Sequence, residues 1–220
     1  MVDVLESIET FRRKYLREAI ELKNKFNGLE GESIHSVYYA THWHNEKPLN
    51  IENGNCVHVP LDGINILFNS GKRILIFDSN TFSEFGGTFG IDIRTLKPND
   101  VFENQDEQTD NKNWSKLINK QIESIEIIWL DDDGWQSPQI INDRQVMVAD
   151  KSSQGIFPHG IKIKIEGKKT VYILAVEPDA YIESEKRYKY LRGGEEFVIA
   201  FGSEAAYRQK LIIEGIKIEI

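Results

Sequence analysis

Pro60-Leu61-Asp62-Gly63-Ile64-Asn65-Ile66-Leu67-Phe68-Asn69-Ser70-Gly71-Lys72-Arg73-Ile74-Leu75-Ile76 is the stretch that decides the fold. Pro and Gly lead into alternating apolar residues, a Gly-Lys turn follows, and a second apolar run closes the pattern, which is how a β-hairpin is written. The same form returns in Pro158-His159-Gly160-Ile161-Lys162-Ile163-Lys164-Ile165-Glu166-Gly167-Lys168-Lys169-Thr170-Val171-Tyr172-Ile173. Upstream of each hairpin stands a matching strand, Ile34-His35-Ser36-Val37-Tyr38-Tyr39 in the first case and Ile122-Glu123-Ser124-Ile125-Glu126-Ile127 in the second. Two matched blocks in the same order point to an internal duplication.

Working outward, residues 3–26 carry Val4, Ile8, Phe11, Tyr15, Ala19, Leu22 and Phe26 at steps of three or four, the apolar stripe of a helix. Asp3 suits the N-cap and Asn27-Gly28 the stop, and the stripe is expected to cover one of the two sheets. Asn99–Asn113, with Asp100, Glu103, Asp106, Glu107 and Asp110, reads as an exposed acidic connector, and Asn142–Gly155 as a second solvated stretch. Gly193-Gly194 reads as a hairpin turn before a strand at Glu196–Phe201. A short helix from about Glu204 to Ile212 and a final strand ending at Ile220 complete the chain.

The expectation is an α+β fold of mainly antiparallel sheets in two related strand-rich halves, with a long N-terminal helix and a short C-terminal one. Its parts are an N-terminal amphipathic helix (1–28), a first repeat unit (29–98), an acidic connector (99–118) and a second repeat unit (119–220).

A formal net charge of −8, from 35 acidic and 27 basic side chains, argues against a general nucleic-acid or membrane-surface binder, which needs a basic face. An acidic surface suits solubility, the simpler account, and would also suit a basic protein partner. The single cysteine, Cys56, excludes an intramolecular disulfide and fits a reducing compartment. With no basic n-region and no apolar run of membrane length, the expected location is the cytoplasm.

Four of the five histidines and the cysteine fall together as His35, His42, His44, Cys56 and His58. On extended backbone, His42 with His44 and Cys56 with His58 each share a face, so two such pairs on adjacent strands offer nitrogen and sulfur donors to a tetrahedral zinc. The spacing matches no established zinc motif, and a hydrogen-bonding histidine is the simpler account. No other cofactor is expected. Asp131, Asp132 and Asp133 are consecutive and lack the frame of a calcium loop, so they read as a polar turn before Trp135. Asp131, Asp132, Asp133 and Trp135 are the candidate partner-binding residues, since acidic side chains steer a basic partner and Trp is enriched at interface hot spots. Trp43, Trp114 and Trp129 read as packing residues. Gly86-Gly87-Thr88-Phe89-Gly90 lacks the Lys-Ser/Thr of a phosphate loop, and no Gly-x-Ser-x-Gly elbow occurs, which leans away from an enzyme.

Ile-x-x-Ile-x-Ile-x-Trp from Ile122 to Trp129, then Pro158-x-Gly160-Ile161-x-Ile163 with Gly167-Lys168, and finally Phe201-Gly202-Ser203-Glu204, resemble small uncharacterised bacterial cytosolic domains. Some of that kind are similar to immunity proteins that neutralise polymorphic toxins. The resemblance covers Ile122–Leu211 best and carries over no functional residue. It implies an acidic, catalytically inert protein that binds another protein. The alternative from the residues themselves is a metal-binding protein or metal-dependent enzyme built on His42, His44, Cys56 and His58.

Overall fold

A computed structural model describes residues 4–40, 49–51, 57–60, 63–82, 90–97, 100, 105–132, 136–141, 144–149, 155–182, 187–192 and 196–203. Helix α1 (Val4–Asn27) leads into β1 (Ile34–Ala40), β2 (Leu49–Ile51), β3 (Val57–Val59), β4 (Gly63–Phe68), β5 (Arg73–Ser79), β6 (Gly90–Thr95) and β7 (Gln105–Glu107). A 3-10 turn (Trp114–Lys116) then precedes β8 (Ile122–Asp132), β9 (Gln136–Ile141), β10 (Arg144–Ala149), β11 (Gly155–Ile165), β12 (Lys169–Ile182), β13 (Arg187–Arg192) and β14 (Glu196–Phe201). The fold is α+β, one long helix on antiparallel sheets. The first sheet runs β6-β5-β4-β1-β7, the second β2-β3-β14-β12-β11-β8 with β13 also on β12, and β9 and β10 pair alone.

The two large sheets repeat one plan. β1-β4-β5-β6 and β8-β11-β12-β14 follow the same order, antiparallel throughout. Ile34, Val37 and Tyr39 face Phe68, Ile66 and Ile64, just as Ile122, Ile125 and Ile127 face Ile165, Ile163 and Ile161. One register slip is shared at equivalent positions, across His35 and across Glu123; the second sheet has further slips at His159 and at Asp179. Ile64 and Ile66 then face Ile76 and Ile74, as Ile161 and Ile163 face Ile173 and Val171. The cause is the shared alternation: slipping by one residue would turn each buried isoleucine row out to solvent. Gly63 and Gly160 are alike too. A Cβ on Gly63 would lie 2.8 Å from the Ile76 carbonyl oxygen, and one on Gly160 would strike that of Ile173.

The repeat begins earlier than the strand pattern reveals. Leu29 and Leu117 donate their N–H groups to the Phe26 and Trp114 carbonyls, and Glu32 and Lys120 donate to Leu29 and Leu117. Gly31 (φ 87°) and Asn119 (φ 61°) take the same left-handed turn. The last turn of α1 is thus the counterpart of the 3-10 turn. Equivalent residues Ser33 and Gln121 form an antiparallel bridge, flanked by Ile34 N–H to Lys120 O at 3.3 Å and Ile122 N–H to Glu32 O at 2.8 Å. Direct pairing of equivalent residues places a local pseudo-two-fold axis there.

Both units and the helix share one core. Helix α1 packs on β6 of the first sheet and on β8 and β11 of the second, so it covers the seam between the sheets and not one sheet alone. Phe11 explains this: its ring lies 6.1 Å from Phe82 and 5.3 Å from Trp129, aromatics contributed by opposite units. Lys72 Nζ caps the end of the helical segment by donating to the Gly28 carbonyl at 2.7 Å.

Several local expectations change. The acidic connector contains an edge strand, β7, and a fully buried Trp114. The solvated stretch contains β10, laddered to β9 from Arg144 to Ala149. Arg192 and Glu196 both face Val176, so β13 and β14 run in the same direction along β12, and Gly193-Gly194 lies outside the described residues. The short C-terminal helix and final strand lie outside the described residues.

Candidate functional site

β7 is held on the outer edge of the first sheet by a polar lock. Asn65, fully buried on β4, donates from Nδ2 to Gln105 Oε1 at 3.2 Å and accepts Arg73 Nε at 3.1 Å. Arg73 also reaches Gln105 Oε1 and the Asp100 carbonyl. A buried amide without such partners would cost about 1–3 kcal/mol, so the lock ties β7 to the sheet. Beyond it, Gln108 N–H donates to the Val37 carbonyl at 2.8 Å and the Thr109 hydroxyl accepts the Val37 N–H at 3.2 Å. The edge therefore displays Asp106, Glu107 and Asp110, all exposed, from anchored backbone. Carboxylates fixed in this way can meet a basic surface with little ordering cost.

The second arrangement is buried. β3 joins the second sheet through His58↔Ile199 and Val57↔Ala200, so a strand of the first half completes the sheet of the second. There the Tyr39 oxygen accepts the Trp114 indole N–H at 2.6 Å and hydrogen-bonds His58 Nδ1 at 2.6 Å. His58 Nε2 lies 3.4 Å from the Asn113 side-chain nitrogen, and the ring stands edge-on to Phe201 at 4.8 Å. Burial lowers the His58 pKa to about 4 and raises that of Tyr39 above its usual range, so both are neutral at neutral pH.

No family model, no curated protein and no solved structure matches the chain.

Of the candidate metal ligands, His42, His44 and Cys56 lie outside the described residues, and His58 has both ring nitrogens facing protein partners. Among the described residues no three metal-ligating side chains gather. Of the candidate partner-binding residues, Asp133 and Trp135 lie outside the described set. Asp131 and Asp132 are not in a turn: they extend β8 and face Ile156 and Gly155, because β11 is long enough to pair with them. Trp129 and Trp114 are packed in the core. Sequence reading missed Tyr39, Asn113 and the lock of Asn65, Arg73 and Gln105. A polar Asn65 between Ile64 and Ile66 was the available signal, since an amide in an apolar row needs partners.

Proposed function

We propose that this chain is a protein-binding module that recognises a basic partner through the acidic edge of its first sheet, in the manner of an immunity protein holding a basic toxin. The supporting observation is the anchored edge strand β7 with Asp106, Glu107 and Asp110 exposed. Edge strands offer backbone groups for pairing, and the carboxylates bias that pairing toward a cationic chain. Such charges act mainly on encounter, so their effect appears in the association rate and fades as salt screens them beyond about 8 Å.

The test is affinity capture from the native host at low and high salt, followed by binding kinetics of the captured protein. The Asp106→Asn/Glu107→Gln/Asp110→Asn variant is expected to associate roughly tenfold more slowly, with dissociation little changed. Unchanged kinetics and unchanged salt tolerance would remove this edge from recognition.

A further inference from the structure

A second surface feature carries the opposite charge. A cavity of about 310 Å³ opens beside the β11–β12 turn, where Lys116, Lys168 and Lys169 stand around Thr170, Ser203 and the ring of Phe201. The three lysines come from two separate segments, the 3-10 turn and the hairpin. Elsewhere Lys25, Lys120 and Lys162 pair with Asp92, Glu166 and Glu126. Among the described residues none of the three cavity lysines pairs with a carboxylate, in a chain whose net charge is −8.

The repeat makes this specific to the second unit. Register places Lys116, Lys168 and Lys169 opposite Gly28, Gly71 and Lys72 of the first unit. There the single cation is spent internally, Lys72 donating to the Gly28 carbonyl. In the second unit both glycine positions hold lysine. Lys168 keeps the left-handed backbone of its counterpart, φ 61° against 85° for Gly71, a conformation that glycine adopts freely and L side chains rarely do. A lysine at that position opposes the local backbone preference and adds a cation to the cavity.

The remaining walls describe the rest of the ligand. The Thr170 and Ser203 side chains supply hydroxyls, and Ser203 Oγ is already positioned 3.2 Å from the Tyr172 hydroxyl. Phe201, held edge-on between His58 and Trp114, offers an apolar flank. Lysine is a strong point-charge partner for phosphate, and the volume is that of a small-molecule pocket. We infer that this cavity binds a small phosphorylated molecule bearing a ring, of the nucleoside phosphate class, with the phosphates among Lys116, Lys168 and Lys169 and the ring against Phe201. The site is independent of the acidic edge.

The test is calorimetry of the full chain with ADP, adenosine, ribose 5-phosphate and pyrophosphate, with the Trp114 indole N–H resonance as a second readout. ADP is expected to bind most tightly, pyrophosphate and ribose 5-phosphate more weakly, and adenosine weakest. Lys168→Gly restores the residue of the first unit, so it should keep or raise the melting temperature while weakening ADP binding about tenfold. Lys116→Gln/Lys169→Gln should weaken it further and flatten its salt dependence. No binding of any probe at millimolar concentration, or affinity unchanged in both variants, would overturn the inference. Pyrophosphate binding as tightly as ADP would overturn the assignment of the ring.

Discussion

The two units share strand order, the register of their core rows and one register slip at equivalent residues, yet they spend polar side chains differently. The first unit uses Arg73 and Asn65 to lock an acidic edge strand, and Lys72 to cap the helical segment. The second has Thr170 and Lys169 at the places of Arg73 and Lys72, and these line an open cavity with two further lysines. Alternating apolar rows and a glycine at the close approach suffice to fix the plan. What the edges and turns carry is free to diverge: exposed carboxylates on β7 in the first unit, lysines around the cavity in the second.

The largest effect expected is at the paired glycines. Gly160→Ala drives a methyl into the Ile173 carbonyl and the Leu174 side chain and should cost about 3 kcal/mol or more in urea unfolding. Gly63→Ala meets Ile76 O at 2.8 Å, on a backbone with φ 152°, and should cost about 2 kcal/mol or more. A silent substitution at either position would break the equivalence of the units.

An effect of similar size separates the units by pH. The folded His58 pKa of about 4 lies below its ordinary 6.5, so its contribution is full above pH 6.5 and is lost as pH falls toward 4. The loss amounts to on the order of 3 kcal/mol. Because His58 sits on β3 against β14, amide exchange should accelerate on acidification first at β3 and β14, with β5 and β6 lagging. Uniform acceleration across both sheets would show that protonation of His58 is not what acid releases.

The hairpins were legible because β-branched residues alternated around paired turns, and the helix because its stripe kept a 3.6-residue period. Less was legible where a partner strand decides the outcome. Asp131 and Asp132 read as a turn until Gly155 and Ile156 pair with them. Gln105–Glu107 is held as strand by its ladder to β1 and by Asn65 and Arg73, which reach Gln105. The start of the repeat stayed hidden because Phe26 ends an α-helix while its counterpart Trp114 sits in a 3-10 turn. The lysine cavity was invisible for a different reason: Lys116 and Lys168 meet only across the fold, and a position-by-position comparison with Gly28 and Gly71 was the signal available.

The central claim, two equivalent units joined at a local pseudo-dyad, is tested most directly at Ser33 and Gln121. Their flanking hydrogen bonds make them a non-hydrogen-bonded antiparallel pair, for which the Cα atoms lie about 4.5 Å apart, within disulfide range. In a Cys56→Ser background, Ser33→Cys/Gln121→Cys should oxidise in air to a monomer with no free thiol and a raised melting temperature. Two titratable thiols persisting in the folded, oxidised protein would contradict the dyad and the arrangement of units built on it.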